Sequence, residues 1–389
     1  MTRFQLLNAL LHTLVFMMGA GIGSFLNVVV YRLPLGISVN NPKRSFCPSC
    51  KYQIPWYHNI PLFTWLFLGG KCANCKSPIA PRYFFVELLT AIIFYFIFRT
   101  FGGPWPFMSH WGPVVLVYWI FAALLIAGTF IDIDHFILPR PITHGGFFVG
   151  LIASFILPGL MEQNVWWRGG LFSLLSAGLG FGLLWLIVEL GKLAFGRIKR
   201  DYPQPEAWTI TQEKEDDPPL FKIRDLEMTW DDIFGRATDR LIMECGALTI
   251  NSRTLGACRL EVRVEHLDVI IPEGTRETVA LETVKKLQGT ATKVVVPREA
   301  MGKGDVYLLA MIGAFLGWKA VIFTIMASSF LGSILGAAPR LIGKTQWTAK
   351  IPYGPYLAAG AMLWLFYGHD IVTWYLGLVY RTPANQMIE

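Results

Sequence analysis

The sequence predicts an all-α polytopic membrane protein of about eight transmembrane helices, with a cytoplasmic zinc-ribbon-like loop and a small α+β cytoplasmic insertion. Three observations lead there. The 389-residue chain is 53% hydrophobic and 16% charged, against about 45–50% and about 25% in soluble domains, and its mean hydropathy is +0.45. Of its 61 charged residues, 35 (16 basic, 19 acidic) fall between Arg197 and Ala300. The rest of the chain is a series of long apolar runs. This pattern excludes disordered, fibrous and disulfide-scaffold classes and argues against a soluble enzyme. The charged block contributes −3 to the net +7, leaving +10 elsewhere. In a membrane protein that excess is a topology signal, so no nucleic-acid partner is expected.

A membrane-crossing helix needs about 20 apolar residues. The expected spans are Leu7–Val30, Tyr83–Phe101, Pro113–Ile131, Gly145–Met161 and Leu171–Phe195. After the block come Val306–Ala338, too long for one crossing, and Tyr356–Leu378. Gly313, Gly317 and Lys319 are candidates to break the former into a hairpin, which gives eight. The first run is longer than a signal-peptide core and continues into Tyr31-Arg32, so it is read as a retained span. The loop Tyr31–Arg82 holds seven basic residues, among them Lys43 and Arg44, and no acid. The positive-inside rule therefore places it in the cytoplasm, and alternation brings Ile133–Thr143, the charged block and Arg340–Lys350 to the same side.

Within the basic loop lie Cys47-Pro-Ser-Cys50 and Cys72-Ala-Asn-Cys75, two CxxC pairs with 21 residues between them. Two such turns supply the four thiolates of a tetrahedral Zn²⁺ site. Lys51, Lys71 and Lys76 favour the thiolate form, and a reducing cytoplasm disfavours the alternative of two disulfides. Four sulfur ligands leave no open position, so the metal is expected to be structural. Cys245 and Cys258 lack a CxxC and are expected to be buried thiols.

Ionisable residues at membrane edges are functional candidates. The third span ends in Ile131-Asp132-Ile-Asp134, with Leu138-Pro139 just beyond, and the block ends in Gly302-Lys-Gly304-Asp305. Two carboxylates that meet cannot both ionise cheaply; one holds a proton while the other activates water. Glycines beside Asp305 permit close approach. A helix cap and a simple turn are the competing readings. At the level of function, a proton-coupled transporter and a non-catalytic assembly scaffold are the other candidates.

The chain resembles the bacterial type IV prepilin peptidases, the leader peptidase/N-methyltransferases of the GxGD membrane aspartyl protease class. The resemblance rests on Gly23-Ser-Phe-Leu-Asn-Val-Val-Val-Tyr-Arg-Leu-Pro34, the CxxC pairs, Asn59-Ile-Pro-Leu-Phe-Thr-Trp65 and Gly70-Lys-Cys72. It continues through Arg82-Tyr83 with Glu87, the Asp132 and Leu138-Pro139 strings, Gly302-x-Gly304-Asp305, Gly313-Ala-x-Leu-Gly317 and Ile351-Pro-Tyr-Gly-Pro-Tyr356. It implies an inner-membrane endopeptidase with Asp132 and Asp305 catalytic at the cytoplasmic face. Gly302, Gly304, Asp134 and Pro139 support the motifs, and Asp134, at i+2 on a helix, faces away from Asp132. The implied substrates are prepilins or pseudopilins, cut after a glycine and then N-methylated from S-adenosylmethionine, for pilus assembly or type II secretion. Three departures stand out: Arg140 after Pro139, Val306-Tyr307 where the family has a cation after GxGD, and His58 where an acid precedes Asn-Ile-Pro. No glycine-rich fingerprint marks the methyl-donor site.

The expected division is 1–82 (first span and methyltransferase-associated Cys₄ loop), 83–196 (spans two to five with Asp132), 197–300 (insertion) and 301–389 (GxGD and final spans). In the insertion, the prolines of Asp201–Leu220 read as a linker. Cys258–Glu265, Leu267–Ile271 and Lys293–Val296 read as strands, and Glu277–Leu287 as a helix capped by Thr275. The insertion has three open readings: a domain that recognises pilus or secretion assembly proteins, one that regulates access to Asp305, and a solvated, tolerated insertion. Glu87 is expected to bond a neighbouring helix or the cysteine loop.

Overall fold

The computed structural model describes residues 3–41, 45–47, 49–102, 112–195, 197–212, 219–224, 226–234, 239–271, 275–284, 286–297, 302–341 and 352–379. The helices are α1 (Arg3–Arg32), α2 (Phe63–Phe67), α3 (Arg82–Phe101), α4 (Gly112–His135), α5 (Arg140–Ile156), α6 (Trp166–Phe195), α7 (Trp230–Ile233), α8 (Lys303–Leu341) and α9 (Gly354–Val379). Five of them, α1, α3, α4, α6 and α8, are long and apolar enough to cross a membrane, and α5 and α9 are two further long helices. The chain divides into two units: Met1–Trp185 with Gly302–Glu389, and Leu186–Met301. It is a polytopic membrane protein with a sheet-containing region. Lys43, Arg44 and 342–350, which belong to the expected basic loops, lie outside the described residues.

In the helical unit, lipid offers no hydrophobic drive between helices, so close packing does the work. Helices α1 and α3 meet backbone to backbone: a Cβ on Gly23 would lie 2.7 Å from Glu87 Cα, and one on Gly19 2.8 Å from Ala91 Cα. Helix α3 joins α4 through the Phe94–Trp119 stack, and Trp119 Nε1 donates to the Phe94 carbonyl at 3.0 Å. Helix α8 is interrupted at Gly317 (φ 82°, ψ 176°), within the segment where a break is expected. An interrupted helix leaves carbonyls without donors. Ser173 and Ser154 hydroxyls both donate to the Ala314 carbonyl, at 2.9 and 3.3 Å. Just past the break, Lys319 pairs with Glu162 at 2.7 Å.

The second unit is a nine-stranded antiparallel sheet. Its strands are β1 (Arg197–Thr211), β2 (Leu220–Ile223), β3 (Leu226–Thr229), β4 (Leu241–Ile250), β5 (Arg253–Leu255), β6 (Cys258–Val262), β7 (His266–Ile270), β8 (Arg276–Ala280) and β9 (Leu287–Pro297). The order is β3-β2-β1-β9-β4-β6-β7-β8, with β5 paired to β4. Alternation along β6 and β7 sends Leu260, Val262, Leu267 and Val269 into a core built around Trp208 and Phe221. The expected strands are present. Cys245 and Cys258 face each other across β4 and β6, both buried and reduced; burial pushes the Cys245 thiol up to about 12.

Two expectations for this unit need correction. The proline-rich stretch read as a linker is largely strand β1, whose pairing with β9 skips from Asp201 to Glu206. Pro203 and Pro205, which have no N–H to give, sit in that interruption and leave the ladder intact on either side. The segment Glu277–Leu287 is not a helix. It begins in strand β8, passes through a 3₁₀ turn at Leu281–Thr283 and enters β9 at Leu287. Pairing of Thr278 with Asp268 and Val279 with Leu267 overrides a weak helical pattern, as tertiary context commonly does. Beyond the end of α6, the one turn α7 is the α-helix among the described residues of this unit, so the insertion is essentially β and not α+β.

Candidate active site

Asp132 lies in the last turn of α4 and Asp305 in the first turn of α8, 173 positions apart in sequence. Both are buried, at 5% and 7% exposure. Their carboxylates lie within electrostatic reach of each other. Asp132 Oδ2 accepts the Gly354 backbone N–H at 2.9 Å, so it caps the start of α9 and satisfies one of that helix's free donors. A Cβ on Gly354 would lie 2.6 Å from the same oxygen, so only glycine brings its N–H this near. Asp305 Oδ1 is buried without a protein hydrogen-bond partner.

Leu138 locks these pieces together. A Cβ on Gly304 would come 2.8 Å from Leu138 Cβ, while Gly128 and Gly354 approach its two Cδ atoms at 3.3 and 3.4 Å. Gly304 is thus a contact point for Leu138, and a notional Cβ on Gly302 would sit in ordinary contact with Asp305 Oδ2, at 3.7 Å. Pro139 precedes the first residue of α5 with extended backbone (φ −61°, ψ 139°), turning the chain back after α4. Asp134 points elsewhere: it pairs with Arg82 at 2.5 Å. That Arg82 role, and the Gly354 N–H, are not evident from the sequence. The Ile351–Tyr356 string marked the region without giving it a task.

A second centre lies in the loop between α1 and α3. The four Sγ atoms of Cys47, Cys50, Cys72 and Cys75 all lie within 4.8 Å of one another, and Cys47 Sγ to Cys75 Sγ is 3.9 Å. Zn–S bonds of about 2.3 Å in a tetrahedron put sulfurs roughly 3.8 Å apart, so the donor set fits that ion. The two CxxC turns are built alike. Lys51 N–H donates to the Cys47 carbonyl (2.9 Å) and Lys76 N–H to that of Cys72 (3.1 Å), with both lysines at positive φ. In return Cys47 N–H reaches the Tyr52 carbonyl and Cys72 N–H that of Ser77. Backbone N–H groups led by that of Cys50 pull the Cys47 thiol down to about 6, toward the thiolate that a metal takes. Glu87, on α3, accepts the Leu62 N–H at 2.7 Å and so ties the loop to the helix bundle.

A polytopic membrane fold with a buried carboxylate pair and a four-cysteine loop defines a class of membrane protein built for chemistry at the bilayer edge. Comparison with known proteins narrows the class. The model of the bacterial Peptidase A24 N-terminal domain matches residues 17–101, and that of the type IV leader peptidase family matches 284–337. The prepilin leader peptidase/N-methyltransferase of Aeromonas hydrophila is 28% identical over 94% of this chain and 93% of its own length. The Pseudomonas aeruginosa protein of that name is 27% identical over 92% and 91%. The Escherichia coli type 4 prepilin-like proteins leader peptide-processing enzyme is 39% identical over 39% of this chain and 60% of its own. The chain is thus similar to the bacterial Peptidase A24 N-terminal domain in its first part and to the type IV leader peptidase family in its last. No solved structure matches it.

Proposed function

We propose that this protein is an inner-membrane aspartyl endopeptidase that removes the leader of type IV prepilins or pseudopilins after a glycine and then N-methylates the new terminus. Its place is pilus biogenesis or type II secretion. The observation that carries the reading is that Gly354, bonded to Asp132, and Gly304, next to Asp305, both pack on Leu138, which brings two buried carboxylates distant in sequence to one region. Two carboxylates brought to one water share one proton. The ionised member takes a proton from water as the water oxygen attacks the scissile carbonyl, while the protonated member donates its proton to the carbonyl oxygen. The C–N bond then breaks and the leaving amine takes a proton back. Gly302 gives the substrate backbone room to approach, while Gly304 and Leu138 hold Asp305 beside Asp132.

The proposed topology has eight crossings, counting α8 as two because of the break at Gly317. The basic cysteine loop, both aspartates and the β unit are placed on the cytoplasmic side, where assembly proteins are the β unit's proposed partners. The proposed domains follow the division 1–82, 83–196, 197–300 and 301–389. Cys47, Cys50, Cys72 and Cys75 are proposed to hold a structural Zn²⁺. S-adenosylmethionine, when bound, would supply the methyl group, carried on its sulfonium, for the new N-terminal amine. The test is incubation of the purified chain with a prepilin-like peptide, reading cleavage and methylation by mass spectrometry. Asp132→Asn and Asp305→Asn should each lower cleavage by at least about 10³-fold while the protein still inserts. Normal cleavage by either variant removes that residue from the mechanism.

A further inference from the structure

Helix α8 is not one rigid rod behind Asp305. Before the break at Gly317 it is clamped to α5 and α6: a Cβ on Gly150 would lie 2.8 Å from the Phe315 ring, and one on Gly180 2.7 Å from the Leu309 carbonyl oxygen. After the break it packs on α9 instead. The rings of Phe323 and Trp364 have centroids 5.3 Å apart, and a Cβ on Gly360 would lie 3.1 Å from the Thr324 carbonyl oxygen. Asp305 is thus held with α5 and α6, while Asp132 is held by the Gly354 N–H at the head of α9. Whatever fixes Gly354 then helps decide where Asp132 sits.

The peptide plane between Tyr353 and Gly354 is secured on both edges. Its carbonyl accepts the N–H groups of Tyr356 and Leu357 at 3.1 and 3.2 Å, and its N–H goes to Asp132 at 2.9 Å. The third anchor is the Tyr353 side chain. Its hydroxyl lies 2.6 Å from Ser328 Oγ and 3.4 Å from Ser329 Oγ, both on α8 beyond the break. Ser328 is fully buried and gives its O–H to the Ile325 carbonyl at 3.0 Å. At the short contact, therefore, the tyrosine donates and the serine accepts. A phenylalanine would fill the same space without that bond.

We infer that Tyr353 is a positioning residue for cleavage: its hydroxyl, latched to Ser328, orients the peptide plane whose N–H holds Asp132. The inference rests on the endopeptidase reading above and adds to it two side chains, Tyr353 and Ser328, that act through Gly354.

The test uses the full-length protein in detergent with a prepilin-like peptide, comparing Tyr353→Phe, Ser328→Ala and the double variant. Each single variant is expected to lower kcat about tenfold while KM stays within about twofold, since the latch acts on Asp132 and not on substrate binding. The double variant should fall no further than the lower single one, because both substitutions remove the same bond. Amide exchange supplies a readout that needs no catalysis. Pro352 and Pro355 have no N–H, so Tyr353 and Gly354 carry the exchangeable amides of residues 352–355. The Gly354 amide should exchange at least about tenfold faster in both single variants. Unchanged kcat, a loss confined to KM, additive losses in the double variant or unchanged Gly354 exchange each overturn the inference. If the unmutated protein cuts no peptide while Gly354 exchange still rises in the variants, the latch stands and the endopeptidase reading fails.

Discussion

At the residue scale the site depends on a few atoms of separation. Gly354 approaches Asp132 so closely that a methyl group there would overlap the carboxylate at 2.6 Å. Gly354→Ala must therefore push the Asp132 carboxylate aside or shift the start of α9, and either movement breaks the Gly354 N–H contact to Asp132. Cleavage is expected to fall by about 10²-fold or more, with insertion and zinc content unchanged; a variant cutting at the normal rate would show that the Gly354 contact does not position Asp132. The cysteines make a separate prediction. Cys47→Ser with Cys72→Ser should drop zinc from one per chain to none by metal analysis, and one zinc per chain in that variant refutes the Cys₄ site. Aspartates, cysteines and the Glu87 tie were legible from sequence because each carries chemistry at a recognisable spacing. Arg82 and Gly354 were not, because an ion pair and a backbone donor act through positions that only folding brings together.

At the element scale, Asp268 on β7 is held in a cage of donors. Arg276 on β8 donates at 2.6 Å and Thr278 Oγ1 at 2.7 Å, with Arg263 at 3.6 Å. Hydrogen bonding by Arg276 drives the Asp268 carboxyl down to about 2. A carboxyl whose folded pKa lies below its unfolded value near 3.9 stabilises the fold above that value and loses the contribution as pH falls from about 4 to about 2. The contribution is on the order of 2 kcal/mol. Asp268→Asn should lower amide-exchange protection in β6–β8 at pH 7, and the gap to the unmutated protein should narrow by pH 2. A gap equal at both pH values would mean that packing, not charge, accounts for the loss. Elements themselves were unevenly legible. Long apolar runs announced α1, α3, α4 and α6 because a membrane demands them, and alternation announced β6 and β7. Strand β1 stayed hidden behind its prolines, and β8 behind residues whose sheet partners are remote.

At the scale of the whole molecule, the β unit is an insertion whose ends close on themselves. Arg197 and Pro297 are register partners at the outer ends of β1 and β9, and partners in an antiparallel pair have Cα atoms about 4.5–5.5 Å apart. A linker of two to four residues can therefore replace everything between them without forcing the flanking chain to move. All the residues assigned to cleavage (Asp132, Asp305, Gly302, Gly304, Leu138 and Gly354) lie in the helical unit, as does the whole cysteine loop. The sheet also has its own core around Trp208 and Phe221. Replacing 198–296 with a Gly-Ser linker should leave cleavage of a prepilin-like peptide within about threefold of the intact enzyme, while efficiency in cells falls if assembly proteins dock on the sheet. Loss of peptide cleavage in a variant that inserts and keeps its zinc would make the sheet part of the catalytic machinery and overturn its assignment as a separable unit.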